Sequence, residues 1–167
     1  MSDEVERGNG LVPVHYHQFA ISDEEGPAGP TLGRRHNGLV QVADGALTVL
    51  TGIHTGDVDV TVSLHHSPPP PDSGTWQEIV EVSAHSASGA LMVHGIMADL
   101  DEDLPVLSFN GPGDYRLRLH ARGRDTAVDL APDSITEWYL IQVWPAPTHE
   151  AIVLRRTDAY GGTVRAR

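Results

Sequence analysis

Two histidines at alternate positions, His15 and His17, have the residue type and spacing that most directly suggest chemistry. Successive side chains of a strand point to opposite faces, so a His-x-His pair on a strand presents both imidazoles on one side. Imidazole is the commonest ligand for transition metals in proteins. His94 is a candidate third ligand. The sequence leaves open a histidine-based metal or small-ligand site, although a chain with 10 histidines also brings some together by chance, and no cofactor is predicted.

An acidic run is the second candidate site, and its members are Asp99, Asp101, Glu102 and Asp103. A calcium loop of the EF-hand kind needs carboxylates at fixed alternate positions, a central glycine and a late glutamate, whereas this run has no glycine and ends in Leu-Pro. Two interpretations remain. The run is either a plain acidic loop between strands or an anionic surface that fills a basic cleft on a partner protein, and the second predicts these four residues as partner contacts.

A cationic stripe occupies one parity of the segment 115–124, at Arg116, Arg118, Arg122 and Arg124. The other parity is apolar, which predicts a strand with one core face and one charged face. Aligned guanidiniums can bind phosphate, so the stripe is a candidate anion site. The acidic charge of the chain, and the expectation that no aromatic residue interleaves on that face, favour a solvated or cross-strand-paired stripe instead. If segment 57–66 is the neighbouring strand, Asp57 and Asp59 would supply the opposite charges.

Catalytic signatures are missing from the sequence. There is no cysteine, which removes thiolate chemistry and Cys-ligated metals. The nucleophile elbow, the phosphate-binding loop, the dinucleotide-binding glycine pattern and the zinc-protease helix motif are absent as well. Glu78, Glu81 and Glu137 lie on or beside predicted strands, where outward solubilising positions explain them. The sequence therefore predicts a protein that is not an enzyme.

The charge balance restricts the class of partner. The 167 residues carry a formal net charge of -12, with a pI near 5.1. An acidic field repels a phosphate backbone, so direct binding to nucleic acid is not expected, whereas a basic protein would be attracted. No apolar run is long enough to span a membrane, and the N-terminus does not resemble a secretory signal. We therefore expect a soluble cytoplasmic protein without membrane contact.

The elements that must position these residues are short strands separated by turn residues. Apolar and polar residues alternate in runs with glycine and proline between them, and a helical period does not occur. This pattern predicts an all-β fold, an antiparallel β-sandwich of two sheets with about eight strands and little or no helix. Predicted strands cover 11–21, 38–53 (bent or split at Asp44-Gly45), 57–66, 76–85, 90–97, 114–123 and 135–144, with a weaker one at 151–157. One domain is expected over 11–160, between a disordered acidic tail at 1–10 and a disordered tail at 161–167.

Several short motifs occur together in a recognisable order. They are His15-Tyr16-His17-Gln18-Phe19, Ala43-Asp44-Gly45-Ala46, Trp76-x-x-x-Val80-x-Val82, Ser88-Gly89, His94-Gly95-Ile96-Met97 and Gly111-Pro112-Gly113-Asp114-Tyr115-Arg116-Leu117. In this order and spacing the chain resembles the competence protein J-like family over roughly residues 12 to 120. The Pro68–Pro71 loop and the chain from about Asp125 exceed the family pattern.

The resemblance implies a small β-rich cytoplasmic protein of the kind that includes an inhibitor of the DNA-entry nuclease of competent bacteria. Such a protein acts by occluding a nuclease and has no catalysis of its own. No family motif identifies the inhibitory contacts, so none is carried over to this sequence. Three interpretations result: an acidic module that occludes a basic nuclease or toxin, a histidine-based metal or small-ligand barrel, and an assembly domain that self-associates through the apolar strand 138–144 or a sheet edge, with the oligomeric state left open.

Overall fold

The computed structural model describes residues 4–23, 37–43, 46–95 and 104–166. Within these ranges the chain forms ten strands and one short helix in two sheets. The elements are β1 (Glu4–Val14), β2 (Gln18–Ser22), β3 (Val40–Ala43), β4 (Ala46–Leu50), β5 (Gly56–His65), β6 (Glu78–Ser86), β7 (Met92–His94), β8 (Gly113–Arg122), β9 (Trp138–Pro145), β10 (Ile152–Arg156) and α1 (Ala159–Arg165). No helix in this described part is long and apolar enough to cross a membrane.

The two sheets confirm the predicted all-β, sandwich-like architecture. The larger sheet has the order β1-β5-β9-β8-β6-β10, and the smaller sheet has the order β3-β4-β2-β7. Neighbouring strands are antiparallel except β5 and β9, which pair in parallel from Asp59 opposite Trp138 to Leu64 opposite Val143. A parallel pair needs a long connection, and here the chain forms β6, β7 and β8 before it returns to lie beside β5.

The core lies between the facing surfaces of the two sheets. It is formed by the alternate residues of each strand that point inward. In β5 the valines at 58, 60 and 62 are fully buried, and in β8 Leu117 and Leu119 are buried on the same principle. Full burial of each such side chain contributes about 1.5–3 kcal/mol relative to exposure. β9, which is largely apolar on both faces, is a central strand flanked by β5 and β8, so both of its edges are paired. It therefore presents no free edge for self-association, which corrects that part of the assembly hypothesis.

A tight turn divides the predicted strand 11–21 into β1 and β2, which belong to different sheets. His15 and Gln18 exchange two backbone hydrogen bonds of 3.3 and 3.2 Å around the turn. Its two central residues, Tyr16 and His17, have φ values of 57° and 65°. Positive φ at both central positions is the requirement of the type I′ hairpin turn. Neither residue is a glycine or an asparagine, so the sequence carries no signal for this turn.

Secondary structure extends into both segments that were predicted as tails. Residues 4–10, predicted as part of a disordered tail, form the first half of β1, which pairs with β5 along its whole length. Backbone hydrogen bonds to an open sheet edge do not require an apolar sequence, so the missing apolar period was not a sign of disorder. Residues 161–165 lie in α1, whose Tyr160 and Val164 are buried.

Candidate partner-binding surface

All three non-glycine residues with positive φ in the described ranges meet at one end of the sandwich. They are Tyr16, His17 and Asp129. The Nε2 atom of His17 lies 2.9 Å from Oδ1 of Asp129. Left-handed backbone at such residues costs on the order of 1–3 kcal/mol each, and it concentrates at functional sites. We refer to the set Tyr16, His17, His54, Asp129 and Leu130 as the turn cluster.

Three loops hold the turn cluster together through backbone hydrogen bonds. The amide of His17 donates to the carbonyl of His54 at 3.1 Å, and the amide of His54 donates to the carbonyl of Leu130 at 2.8 Å. The amide of Asp129 donates to the carbonyl of Gly52 at 2.9 Å. The β1–β2 turn, the loop after β4 and the loop between β8 and β9 are thus connected directly. This arrangement makes the end of the sandwich a preformed surface.

A buried carboxylate supports this surface from below. Glu137, fully buried, accepts hydrogen bonds from the amides of Gly52 at 3.1 Å and Ile53 at 2.7 Å. The hydroxyl of Tyr139 donates to the same carboxylate at 2.5 Å. Burial raises the pKa of Glu137, against the three hydrogen bonds and the nearby charge of Arg124, which lower it. Glu137 was predicted as an outward solubilising residue, and the structure corrects this because the loop 51–55 folds over it.

The turn cluster exposes apolar and aromatic groups next to carboxylates. Tyr16 is 57% exposed and Leu130 is 59% exposed, the two largest values among the large hydrophobic residues described. The ring of Tyr16 packs edge-on against His54, with 5.7 Å between centroids. The side chain of Asp129 is 72% exposed. Aromatic and aliphatic anchors beside an exposed carboxylate suit the recognition of a basic protein surface.

A small pocket adjoins the turn cluster on the side of α1. Its volume is about 290 Å³, and it is lined by Asp125, Val128, Asp129, Ala159, Tyr160 and Thr163. The Asp125 carboxylate accepts hydrogen bonds from the amides of Ala159 and Tyr160, both at 2.8 Å, and so anchors the start of α1. The loop from Asp125 to Asp133 carries three aspartates with exposed Val128 and Leu130 between them. This composition is visible in the sequence and is the signal from which the site could have been predicted.

The predicted histidine set does not assemble into a metal site. The positive-φ turn removes His15 and His17 from a regular strand, so their imidazoles do not share a strand face. The Nε2 atom of His94 lies 2.5 Å from the hydroxyl of Ser22, and its Nδ1 lies 3.0 Å from the carbonyl of Gly95. Within residues 4–23, 37–43, 46–95 and 104–166, no three His, Asp or Glu side chains form a group that could hold a metal ion.

The acidic run Asp99, Asp101, Glu102 and Asp103 lies outside the described residues. Its place in the chain is after β7, which ends at His94. The described chain resumes at Leu104, which is buried in the core together with Leu107. The run therefore stays a prediction from the sequence.

Three of the four arginines of the cationic stripe, Arg116, Arg118 and Arg124, are buried and paired with carboxylates. Arg116 and Arg118 are 4% and 6% exposed, and both contact the carboxylate of Glu81 on β6, at 3.4 and 2.9 Å. Nη1 of Arg118 also donates to the carbonyl of Pro69 at 2.8 Å. The predicted pairing with segment 57–66 does not occur, because β9 lies between β5 and β8. These two guanidiniums are therefore occupied within the chain, which leaves them poorly placed for an external anion.

Aromatic residues do interleave with the stripe, contrary to the sequence expectation. Trp144 lies opposite Arg116 and Trp138 lies opposite Arg122 in the pairing of β8 with β9. The guanidinium of Arg122 lies 4.3 Å from the ring centroid of Trp138 and 5.7 Å from that of Trp76. Cation–π contacts of this kind contribute on the order of 0.5–2 kcal/mol. They stabilise the outer face of the larger sheet.

Arg124, the last residue of the stripe, is completely buried and joins both sheets to α1. It donates to the Asp158 carboxylate through Nε at 2.7 Å and Nη2 at 2.9 Å, and through Nη1 to the carbonyls of Gly38 and Leu50 at 2.9 and 3.0 Å. Burial by itself would lower the pKa of Arg124. The hydrogen bonds and the negative charge of Asp158, together with further negative charge nearby, outweigh burial, so the pKa of Arg124 is raised. This position is structural, which corrects its prediction as an anion ligand.

A second groove, larger in volume, lies where the connection from β5 to β6 crosses the outer face of the larger sheet. It measures about 680 Å³ and is lined by Glu4, Arg7, His65, Gln142 and the segment Ser67–Ser73. Pro68–Pro71 forms one wall, and Pro69 is fixed to Arg118 as described above. Asp72 closes the segment on itself by accepting from the indole of Trp76 at 2.7 Å. The proline run thus covers part of the sheet as a fixed strap.

No family model matches the chain, and no curated protein matches it. Two solved structures share its fold. One is ComJ from Bacillus subtilis, described as the inhibitor of the DNA-degrading activity of NucA, with a TM-score of 0.56 and 20% identity over 87% of this chain and 99% of that chain. The other is described as crocagin biosynthetic gene J, with a TM-score of 0.50 and 15% identity over 85% of this chain and 98% of that chain. The chain therefore has a ComJ-like fold.

Proposed function

We propose that the chain is a non-enzymatic, acidic protein-binding module that occludes the basic cleft of a partner nuclease. The observation that carries the proposal is the structural likeness to ComJ, a nuclease inhibitor, over 99% of the ComJ chain. A shared fold alone does not assign a partner, so the surface and charge of this chain supply the rest of the argument.

Charge supports a basic partner. A net charge of -12 on 167 residues produces an acidic field that accelerates encounter with a basic protein and disfavours direct contact with DNA. A nuclease that holds DNA presents a basic cleft, which such a protein can enter in place of its substrate. Because exposed charges are screened over about 8 Å at physiological ionic strength, the association rate should fall as salt is added.

Two surfaces are the proposed contacts. The turn cluster supplies the anchors Tyr16 and Leu130, with the carboxylate of Asp129 between the loops that carry them. The acidic run from Asp99 to Asp103 supplies additional negative charge. Anchors that fill pockets on the partner determine most of the dissociation rate, whereas peripheral charges determine most of the association rate. The two surfaces should therefore affect different rate constants.

The test is inhibition of a purified basic nuclease encoded by the same organism. Its rate of DNA cleavage is measured at near-physiological salt with increasing amounts of this protein, and binding is measured in parallel. The expected result is stoichiometric inhibition together with a complex that weakens as salt rises. Absence of binding and of inhibition for every such nuclease would contradict the proposal.

Two variants then test the contacts. Tyr16→Asn removes the ring but keeps a residue that tolerates the left-handed backbone, and with Leu130→Ser it should raise the dissociation rate about tenfold or more. Leu11→Ser is the matched control, since Leu11 is also an exposed leucine, 51% accessible, but lies on β1. Equal effects of the two substitution sets would remove the turn cluster from the interface.

Charge reversal of Asp99, Asp101, Glu102 and Asp103 to lysine should slow association and reduce its dependence on salt. The control reverses the exposed charges of Glu6 and Asp57, which lie on β1 and β5. If the association rate changes by the same factor per charge in both variants, the acidic run acts only through net charge and is not a contact.

A further inference from the structure

β10 is an edge strand with an unusually apolar centre. It is the last strand of the larger sheet and pairs with β6 only, within the described part of the chain. All five of its residues are exposed, and Ile152, Val153 and Leu154 retain 38%, 39% and 47% of their accessible surface. The unpaired side of such a strand presents backbone donors and acceptors that can accept another strand.

The protection of this edge is incomplete. A bulge between Val153 and Arg155 and the two arginines at its end are devices that discourage pairing. Proline and inward-pointing charge, two further devices, do not occur between Ile152 and Leu154. The opposite edge, β1, differs because it carries Glu4, Glu6 and Arg7 in its first half and a proline near its end. The outer edge of β10 is therefore able to pair with a further strand.

The sequence around β10 is complementary to itself in antiparallel orientation. The seven residues from Glu150 to Arg156 are centred on Val153. Antiparallel pairing about this centre places Val153 opposite Val153 of the other copy and Ile152 opposite Leu154, while Glu150 meets Arg156 at both ends. Within the described residues, the carboxylate of Glu150 and the guanidinium of Arg156 make no ion pair in the single chain. Both charges remain available for a second copy.

We propose that two copies of the chain associate through β10, which joins their larger sheets across a twofold axis. A twofold contact uses the same strand on both copies and closes, whereas pairing of β10 with β1 would leave one free edge on each copy and build open chains. The charge antisymmetry of Glu150 and Arg156 selects the twofold arrangement. This association is independent of nuclease binding, because the turn cluster lies in other loops.

The small contact area predicts a low affinity for this dimer. Five to seven paired residues per strand bury less surface than the roughly 1,200–2,000 Å² of a stable standard interface. The bulge adds twist and shortens the flat part of the edge. Reversal of one charge converts both Glu150–Arg156 pairs from attractive to repulsive, and we expect about a tenfold increase in the dimer dissociation constant.

The test is analytical ultracentrifugation of the full chain from low micromolar to submillimolar concentration. The expected result is a reversible monomer–dimer equilibrium. Val153→Lys should leave the protein monomeric, and Glu150→Arg and Arg156→Glu should each weaken the dimer. The double variant Glu150→Arg/Arg156→Glu should restore it, because the pairs re-form with their charges exchanged.

Leu11→Lys is the matched control, an exposed apolar residue on the opposite edge of the same sheet. It should leave the dimer unchanged. Far-UV circular dichroism and the thermal midpoint check that each variant is folded, which is expected because the substituted side chains are exposed. A monomer at all concentrations, growth beyond the dimer, or loss of the dimer in Leu11→Lys but not in Val153→Lys would each overturn the proposal.

Discussion

Replacement of Arg124 by methionine tests the central polar network most directly. Arg124 is fully buried, and its guanidinium satisfies both oxygens of Asp158 and the carbonyls of Gly38 and Leu50. Methionine has a similar length and fills most of the space, but it donates no hydrogen bond. The substitution leaves the carboxylate of Asp158 buried without its principal partner and two carbonyls without donors.

The expected loss of stability follows from these lost contacts of Arg124. Removal of one partner from a buried ion pair costs about 3–5 kcal/mol. The loss of the hydrogen bonds to the two carbonyls adds less than its full cost to this value, because effects within one network are not additive. We expect the free energy of unfolding to fall by about 4 kcal/mol, a large fraction of the roughly 5–15 kcal/mol typical of a domain. Arg124→Lys keeps the charge but loses the planar fork, and it should cost about half as much.

The assay is urea unfolding followed by tryptophan fluorescence at neutral pH. The double variant Arg124→Met/Asp158→Asn separates lost charge pairing from lost packing, because Asn keeps the cap on Gly161 while removing the buried charge. It should recover about 1–2 kcal/mol relative to Arg124→Met alone. A cost below about 1 kcal/mol for Arg124→Met, or a double variant less stable than the single one, would refute the reasoning.

Three further perturbations have defined outcomes. Burial raises the pKa of Glu137, so the native protein binds this proton at a higher pH than the unfolded protein does. The stability of the wild type relative to Glu137→Gln should therefore increase as pH falls from neutral, which urea unfolding at two pH values measures. Burial lowers the pKa of His120, so the stability that the neutral His120 side chain contributes is present above the ordinary imidazole pKa and is lost as pH falls. The wild type should therefore lose stability relative to His120→Leu on acidification. His85→Gln, at an exposed histidine, is the control. A Cβ at Gly52 would lie 1.9 Å from the carbonyl oxygen of Arg124, so Gly52→Ala should lower the thermal midpoint strongly, whereas Gly162→Ala, which meets nothing within 4 Å in α1, should raise stability by about 0.5–1 kcal/mol.

Strand parity made the core predictable. The alternation in β5 and β8 assigns Val58, Val60 and Leu117 to the inner face without any knowledge of strand order, because neighbouring side chains of a strand point in opposite directions. The same alternation placed Arg116, Arg118 and Arg122 on the opposite face, whereas Arg124 lies beyond the end of β8 and is buried. The partners of that face were not predictable, because long-range topology places β6 and β9 beside β8 and the proline strap over it.

The candidate surface was less accessible to sequence reasoning. His15 and His17 have the spacing of a metal-binding pair, but the left-handed turn that contains His17 is held by backbone hydrogen bonds between His17 and Thr51 and between His17 and His54, 34 and 37 residues further along the chain. Glu137 was assigned to solvent because carboxylates usually are, and only the fold of the loop above it supplies the amides that hold it. Contacts remote in sequence decide both features.

The parallel pair of β5 and β9 also has a consequence for how the chain folds during synthesis. β9 occupies the centre of the larger sheet, yet it is the second-last strand to leave the ribosome. Until it emerges, β1 with β5 and β6 with β8 form two separate half-sheets whose facing edges are open to one another and to other chains. Insertion of β9 closes both gaps in a single event. A chain that ends before Trp138 should therefore aggregate or be degraded, and refolding of the complete chain should be limited by this late, non-local step.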